Sequence, residues 1–192
     1  MPVALCRPGD ALSGALRRYK DAPAPDARAH HAHSLTRMLR DHLEEHGSCL
    51  WSAAGGWDAV AVVPSSRPGA LAVAHPLMGV AAAAGLASPT GTIRLVGLGR
   101  PPAHLRPRPE WVAVAGEVEG RRVLLLDDTW TTGAHAFSAT GAIGRRGATV
   151  AAVLVLGRTV DPGAAPALAD WWGRMTAGPA SAACCIEGQG GP

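Results

Sequence analysis

Asp127 and Asp128 stand side by side at the end of the aliphatic run Val123-Leu124-Leu125-Leu126, and Thr129-Trp130-Thr131-Thr132-Gly133-Ala134-His135 follows them. Adjacent carboxylates repel and raise one another's pKa, so they are awkward in a purely structural turn. As acceptors for ligand hydroxyls they have a use. The aliphatic run does not alternate apolar with polar residues, which reads as a buried strand of a parallel sheet. Such strands present ligand sites at their carboxyl ends. Thr129, Thr131 and Thr132 add hydroxyls, and Gly133 permits a close or left-handed backbone approach. A helix beginning near Ala134 directs its positive end at the turn, which favours an anion. One stretch therefore combines a phosphate cradle with a pair of hydroxyl acceptors. The pair reads poorly as a nucleotide P-loop, because the Gly-Lys-Ser/Thr element is missing. The plainer account is a buried strand that ends in a polar turn.

A second candidate lies upstream, at Val62-Val63-Pro64-Ser65-Ser66-Arg67-Pro68-Gly69. Backbone N–H groups, hydroxyls and a guanidinium at a strand end suit a polyphosphate, although a solvated turn has the same composition. A third segment, Gly99 to Glu110, is rich in Pro and Arg and carries Arg106 and Arg108. It reads either as a mobile loop or as a plain connector. His30, His31 and His33 lack an acid or cysteine at zinc spacing and fit a solvated helical face better than a metal site.

The elements that must position these residues follow from periodicity. Residues 9–20 form a short helix. Asp26 is a candidate N-cap for a second helix, Gly47 its candidate stop, and Leu35, Met38, Leu39 and Leu43 share one face. Strands are predicted over 57–64, 92–98, 122–127 and 149–156. Helices are predicted from Pro76 towards Leu86, over 134–146 with Phe137, Thr140 and Ile143 or Gly144 inward, and around 164–172. Residues 111–118 suggest a hairpin arm. The strand at 149–156 should neighbour the 122–127 strand through a right-handed crossover. The alternation gives an α/β fold with a mainly parallel central sheet flanked by helices.

The 192 residues suffice for one domain with a sizeable core. We read residues 1–192 as that single domain, with 188–192 a disordered tail. Net charge is +3, and lysine occurs once, at Lys20. With no basic cluster, this balance argues against direct nucleic-acid binding. No long apolar run suggests a membrane span, and the start does not read as a signal peptide. Cys6, Cys49, Cys184 and Cys185 match neither a zinc-ligand pattern nor a disulfide framework, so free thiols in a cytoplasmic protein are expected.

The stretch LLLDDTWTTG resembles the motif by which type I phosphoribosyltransferases bind 5-phosphoribosyl 1-pyrophosphate (PRPP). Leu16-Arg17-Arg18-Tyr19-Lys20-Asp21, VAVVPSSRPG and GRRVLLLDDTWTTGAHAFSA point, within that family, to the ComF-like and amidophosphoribosyltransferase-like bacterial group. The resemblance implies that Asp127 and Asp128 bind the ribose hydroxyls and act in catalysis. It implies a 5′-phosphate loop at Thr129, Trp130, Thr131, Thr132 and Gly133, and a pyrophosphate loop at Ser65, Ser66 and Arg67. Arg106 and Arg108 would belong to a flexible loop that closes over the site. Mg²⁺ would come with PRPP, with Asp127 and Asp128 as candidate ligands. No zinc is implied, because the Cys-rich segment that precedes this region in many relatives is missing. A small hood over the acceptor would come from residues 1–50 and 160–187. The implied reaction displaces pyrophosphate from ribose C1 with an unidentified acceptor, a nucleobase or an amine. The absence of a loop lysine argues against orotate. The alternative is a non-catalytic PRPP- or nucleotide-sensing protein, or a ComF-like competence-type binding protein. A homodimer is allowed for.

Overall fold

A computed structural model describes residues 1–65, 75–86, 91–103 and 106–177. Its elements run β1 (Pro2–Cys6), α1 (Ala11–Asp21), α2 (Pro25–Ala54), β2 (Ala59–Val62), α3 (Pro76–Ala83), β3 (Thr92–Gly97), β4 (Val112–Ala115), β5 (Arg122–Trp130), α4 (Ala134–Arg145), β6 (Thr149–Thr159) and α5 (Pro166–Thr176). The strands form one six-stranded sheet in the order β1-β6-β5-β2-β3-β4. All neighbours are parallel except β3 and β4. This is the expected α/β architecture, with helices on the sheet's two faces.

The continuous aliphatic run of β5 is explained by its central place. Leu124 and Leu126 join the core beneath α1, α2 and α3, with Leu16, Leu35, Leu39 and Leu77. Val123 and Leu125 join the opposite core, with Trp111, Ala139 and Ile143. Side chains alternate faces along a strand, so both faces of β5 must be apolar. Each such aliphatic side chain contributes roughly 1.5–3 kcal/mol when fully buried. The same parity sends Asp128 towards the α1 side and Asp127 towards the α4 side.

From β2 the chain proceeds outward to β3 and β4, then returns to the other side of β2 as β5. The direction of progression thus reverses between β2 and β5. In open α/β sheets such a reversal leaves a crevice at the carboxyl ends of the two strands. β2 stops at Val62, whereas β5 continues pairing with β6 as far as Trp130 and Arg158. The extra length of β5 projects into that crevice.

Four expectations need correction. The strand of the acid pair does not end at Asp127: Thr129 and Trp130 still pair with Gly157 and Arg158, so the turn proper is Thr131-Thr132-Gly133. The second helix does not stop at Gly47. It runs to Ala54, where Gly55 takes the left-handed conformation (φ 64°) that closes helices. Its N-cap is Ala24, because Pro25 occupies the first helical position and puts Asp26 in the first turn. Phe137 does not face inward. It is 53% exposed, and the inner face of α4 is built from Ala134, Ala136, Ser138, Ala139, Ala142 and Ile143. Small residues there allow close approach: a Cβ on Gly141 would collide with Pro109. The edge strand β1, parallel to β6, was not predicted at all. The expected hairpin arm is β4, antiparallel to β3. Cys184, Cys185 and the tail at 188–192 lie outside the described residues.

Candidate functional site

The crevice between β2 and β5 opens into a cavity of about 440 Å³ lined by both acids, Ser65, Thr129 and Thr131. Ser65 of the second predicted loop thus meets Thr129 and Thr131 of the first at one cavity. Ser66 and Arg67 lie outside the described residues. Trp130 turns its ring towards Phe137, centroids 5.4 Å apart, and Thr132 is half-buried beside the turn. Neither lines the cavity.

The turn is built for close approach. Gly133 has φ 79°, and a Cβ there would run into the Trp130 indole. Gly133 is also the N-cap of α4, a position where serine or aspartate would normally satisfy the first amides. Here no cap side chain does so; only a long 3.5 Å contact runs from the Ala134 N–H to Thr132 Oγ1. The N-terminal amides of α4 and its dipole therefore face the turn, as an anion site requires.

The two acids differ sharply in surroundings. Asp128 is buried, and its Oδ2 accepts from the Tyr19 hydroxyl at 2.6 Å and from Lys20 Nζ at 2.5 Å. Both donors come from α1. Asp10 caps that helix by accepting from the Ser13 N–H, and Gly157 on β6 lets it lie close to the sheet. A Cβ at Gly157 would collide with Leu16 and crowd Cys6. Burial pushes the Asp128 carboxyl upward, but the Lys20 charge and the hydrogen bonds from Lys20 and Tyr19 outweigh it and hold the group below its usual range. Burial, with the neighbouring Asp128 charge, pushes the Tyr19 hydroxyl far up.

Asp127 is half-buried and accepts the Asp128 N–H at 2.9 Å. Burial, then the charge on Asp128, raises its carboxyl to about 8. The pair is thus split into one anion compensated by lysine and one acid that holds its proton near neutrality. Burial and mutual repulsion drive the split, as they do in paired carboxylates at functional sites and in structural ion-pair networks. Two adjacent acids without a structural partner was the expectation; Tyr19 and Lys20 supply that partner to Asp128.

Sequence reasoning missed these two α1 residues as site residues, together with His75 and His135. His75 caps α3 by accepting the Leu77 N–H at 3.2 Å, and it lines the cavity. His135, also at the cavity, lies against Trp111 with ring centroids 5.1 Å apart. The advance signals were that Tyr19 and Lys20 lie in the stretch Leu16-Arg17-Arg18-Tyr19-Lys20-Asp21 that carries the resemblance, and that Lys20 is the sole lysine of the chain.

Arg106 and Arg108 are exposed, and neither lines the cavity. Arg108 donates from Nε to Glu110 at 3.2 Å, and its backbone N–H donates to Ser138 Oγ on α4 at 2.8 Å. The carboxyl end of the Pro/Arg segment is therefore anchored on α4.

Among the described residues, no group of three His, Cys, Asp or Glu side chains could hold a metal. His30, His31 and His33 sit exposed or half-exposed along α2. Cys6 and Cys49 form no disulfide among the described residues. No helix among the described residues is long and apolar enough to cross a membrane.

No protein-family model matches the chain, and no curated protein matches it. Among solved structures, the adenine phosphoribosyltransferase of Thermoanaerobacter pseudethanolicus shows 19% identity and a TM-score of 0.41 over 68% of this chain and 70% of that one. The adenine phosphoribosyltransferase of Leishmania tarentolae shows 14% identity and a TM-score of 0.41 over 82% and 92% of the two chains. A purine phosphoribosyltransferase from Pyrococcus horikoshii shows 14% identity and a TM-score of 0.35 over 84% and 92%. At such identities and scores these likenesses carry no functional argument, and the reading of the site rests on its own geometry.

Proposed function

We propose that the protein binds PRPP with Mg²⁺ and transfers its phosphoribosyl group to a small-molecule acceptor, a nucleobase or an amine. The observation that carries this reading is the acid pair lining one cavity at the β2/β5 reversal together with Thr129, Thr131 and His135, which flank the uncapped start of α4. A phosphate on the Thr131-Thr132-Gly133 turn would meet the first α4 amides. The ribose of the same molecule would then reach the acids at the end of β5. Ser65, which follows β2, lines the same cavity and would meet the leaving pyrophosphate.

The donor set fits a magnesium ion only in part. Two adjacent carboxylates without a third ligand do not make a protein cage. They do suit Mg²⁺ that arrives on a polyphosphate and keeps several waters. Asp127 and Asp128 would hold it, and when bound it would neutralise charge on the leaving pyrophosphate. In the transfer, the ribose C1–O bond to pyrophosphate breaks and a C1–N bond to the acceptor forms, while the acceptor nitrogen gives up a proton. Positive charge develops on the ribose as pyrophosphate departs. Asp127 and Asp128 would stabilise it, so catalysis would rest on positioning and electrostatics rather than covalent chemistry. The acceptor would dock against α1, which contributes Ser13, Leu16, Arg17 and Lys20 to the cavity lining. We place the protein in the cytoplasm and allow for a homodimer and for a ComF-like relationship.

Pyrophosphate release measured over a panel of nucleobases and amines tests the reading. Release that depends on one acceptor supports the enzyme. PRPP binding without release from any acceptor supports the alternative, a PRPP sensor or a competence-type binding protein.

A further inference from the structure

Asp128 Oδ2 already accepts two short hydrogen bonds, from Tyr19 and Lys20. An oxygen with two donors has no room for a cation as well. If a metal–polyphosphate ligand is to use this carboxylate fully, one donor must leave. Tyr19 cannot leave easily: it is 2% exposed and packed in the core with Leu16, Leu35 and Leu39. Lys20 can. Its side chain is 22% exposed and lines the cavity. Its ammonium is a compact charge on a flexible four-carbon stem, unlike the planar guanidinium fork.

The composition points the same way. The eighteen Lys and Arg residues of the chain include a single lysine, and it stands at this one contact. Arg17, one turn earlier on α1, also lines the cavity and makes no hydrogen bond or ion pair among the described residues. Lys20 is thus distinguished from its cationic neighbour by direct contact with the acid pair.

We infer that Lys20 is an internal counter-ion that keeps Asp128 charged and fixed in the ligand-free protein and gives way to the divalent cation of an entering metal–polyphosphate. The inference rests on the proposed PRPP reading and adds a regulatory property to it: the cation must compete with a tethered ammonium. α1 lines the cavity and stays anchored through buried Leu16 and Tyr19, so release of Lys20 moves one side chain and leaves the helix in place. Tyr19 remains on Asp128 and keeps the carboxylate aligned.

The single lysine makes a direct test available on the unaltered chain. Protein grown with lysine carrying ¹³C at Cε gives one lysine side-chain resonance. That signal is followed during titration with Mg²⁺ alone, with ribose 5-phosphate alone, and with PRPP and Mg²⁺ together, while calorimetry on the same samples registers binding. The expected result is a resonance shifted from that of free lysine in the unliganded protein, which moves to the free-lysine position when PRPP and Mg²⁺ bind and stays in place with ribose 5-phosphate alone. In a parallel arm, Lys20→Met lowers the Mg²⁺ concentration needed for half-maximal PRPP binding several-fold. A lysine resonance that does not move while calorimetry shows PRPP and Mg²⁺ bound overturns the counter-ion and leaves the PRPP reading intact. A raised Mg²⁺ requirement in Lys20→Met does the same. No heat with PRPP and Mg²⁺ overturns both.

Discussion

Tyr19→Phe removes one oxygen from the interior and leaves the ring in place. The lost hydroxyl donates at 2.6 Å to a buried, charged carboxylate. A hydrogen bond to a charged group contributes about 1.5–3 kcal/mol. No water can easily replace it, because Tyr19 and Asp128 are 2% and 7% exposed. For a chain of 192 residues, each kcal/mol moves the melting temperature by roughly 2–4 °C. The expected fall is therefore about 3–12 °C at pH 7. A second signature separates this bond from general packing damage. The Asp128 carboxyl lies below its usual range when folded, so its contribution is present above the unfolded value and is lost as pH falls through the folded one. With one of its donors gone, the carboxyl must rise, and the acid limb of stability shifts to higher pH. The assay is thermal melting of wild type and Tyr19→Phe from pH 3 to 8. A variant that melts within 1 °C of wild type at pH 7, with an unmoved acid limb, would refute the claim that α1 holds the acid pair.

Other expectations follow from the same geometry. Asp128→Asn lowers the melting temperature, because it leaves the Lys20 ammonium without its carboxylate. Asp127→Asn behaves oppositely: the folded Asp127 carboxyl is raised to about 8, so the folded state binds more protons than the unfolded one above about pH 4, and wild type loses stability as pH rises from there to about 8. The amide lacks that loss, and its advantage over wild type in thermal melts should grow through the same window. Gly157→Ala forces Leu16 and α1 away from β6, an overpacking cost of about 1–3 kcal/mol that denaturant unfolding would register. Gly133→Ala strains a residue at φ 79° and displaces the Trp130 indole, so calorimetry should show weaker ribose 5-phosphate binding.

The strand β5 was legible because its character is local: an unbroken aliphatic run can only be buried on both faces. The turn after it was legible for a similar reason, since hydroxyls, a glycine and a helix start are contiguous. What could not be read was whatever depends on distant pairing. β1 is five residues beginning with proline, and only its partner β6, at the far end of the chain, makes it a strand. Tyr19 and Lys20 meet Asp128 across more than a hundred residues. No spacing rule connects them, so the acids looked like a bare repelling pair. Phe137 misled because hydrophobicity was taken for burial, whereas close packing of α4 on Pro109 favours alanine and glycine on its inner face. Gly47 misled because a glycine inside a helix costs only about 1 kcal/mol and need not end it. The true stop, Gly55, is marked by a left-handed backbone that the sequence does not display.

The central claim is that the acid pair and the α4 N-terminus form one PRPP site. Its most direct test is calorimetric titration of the wild-type chain with PRPP in the presence of Mg²⁺, repeated in buffers of different ionisation enthalpy. The account predicts saturable one-to-one binding that is tighter than that of ribose 5-phosphate. It also predicts proton release at pH 7, as Asp127 gives up its proton to meet the ligand. Absence of heat at millimolar PRPP, or binding equally strong in Asp127→Asn and Asp128→Asn, would contradict it.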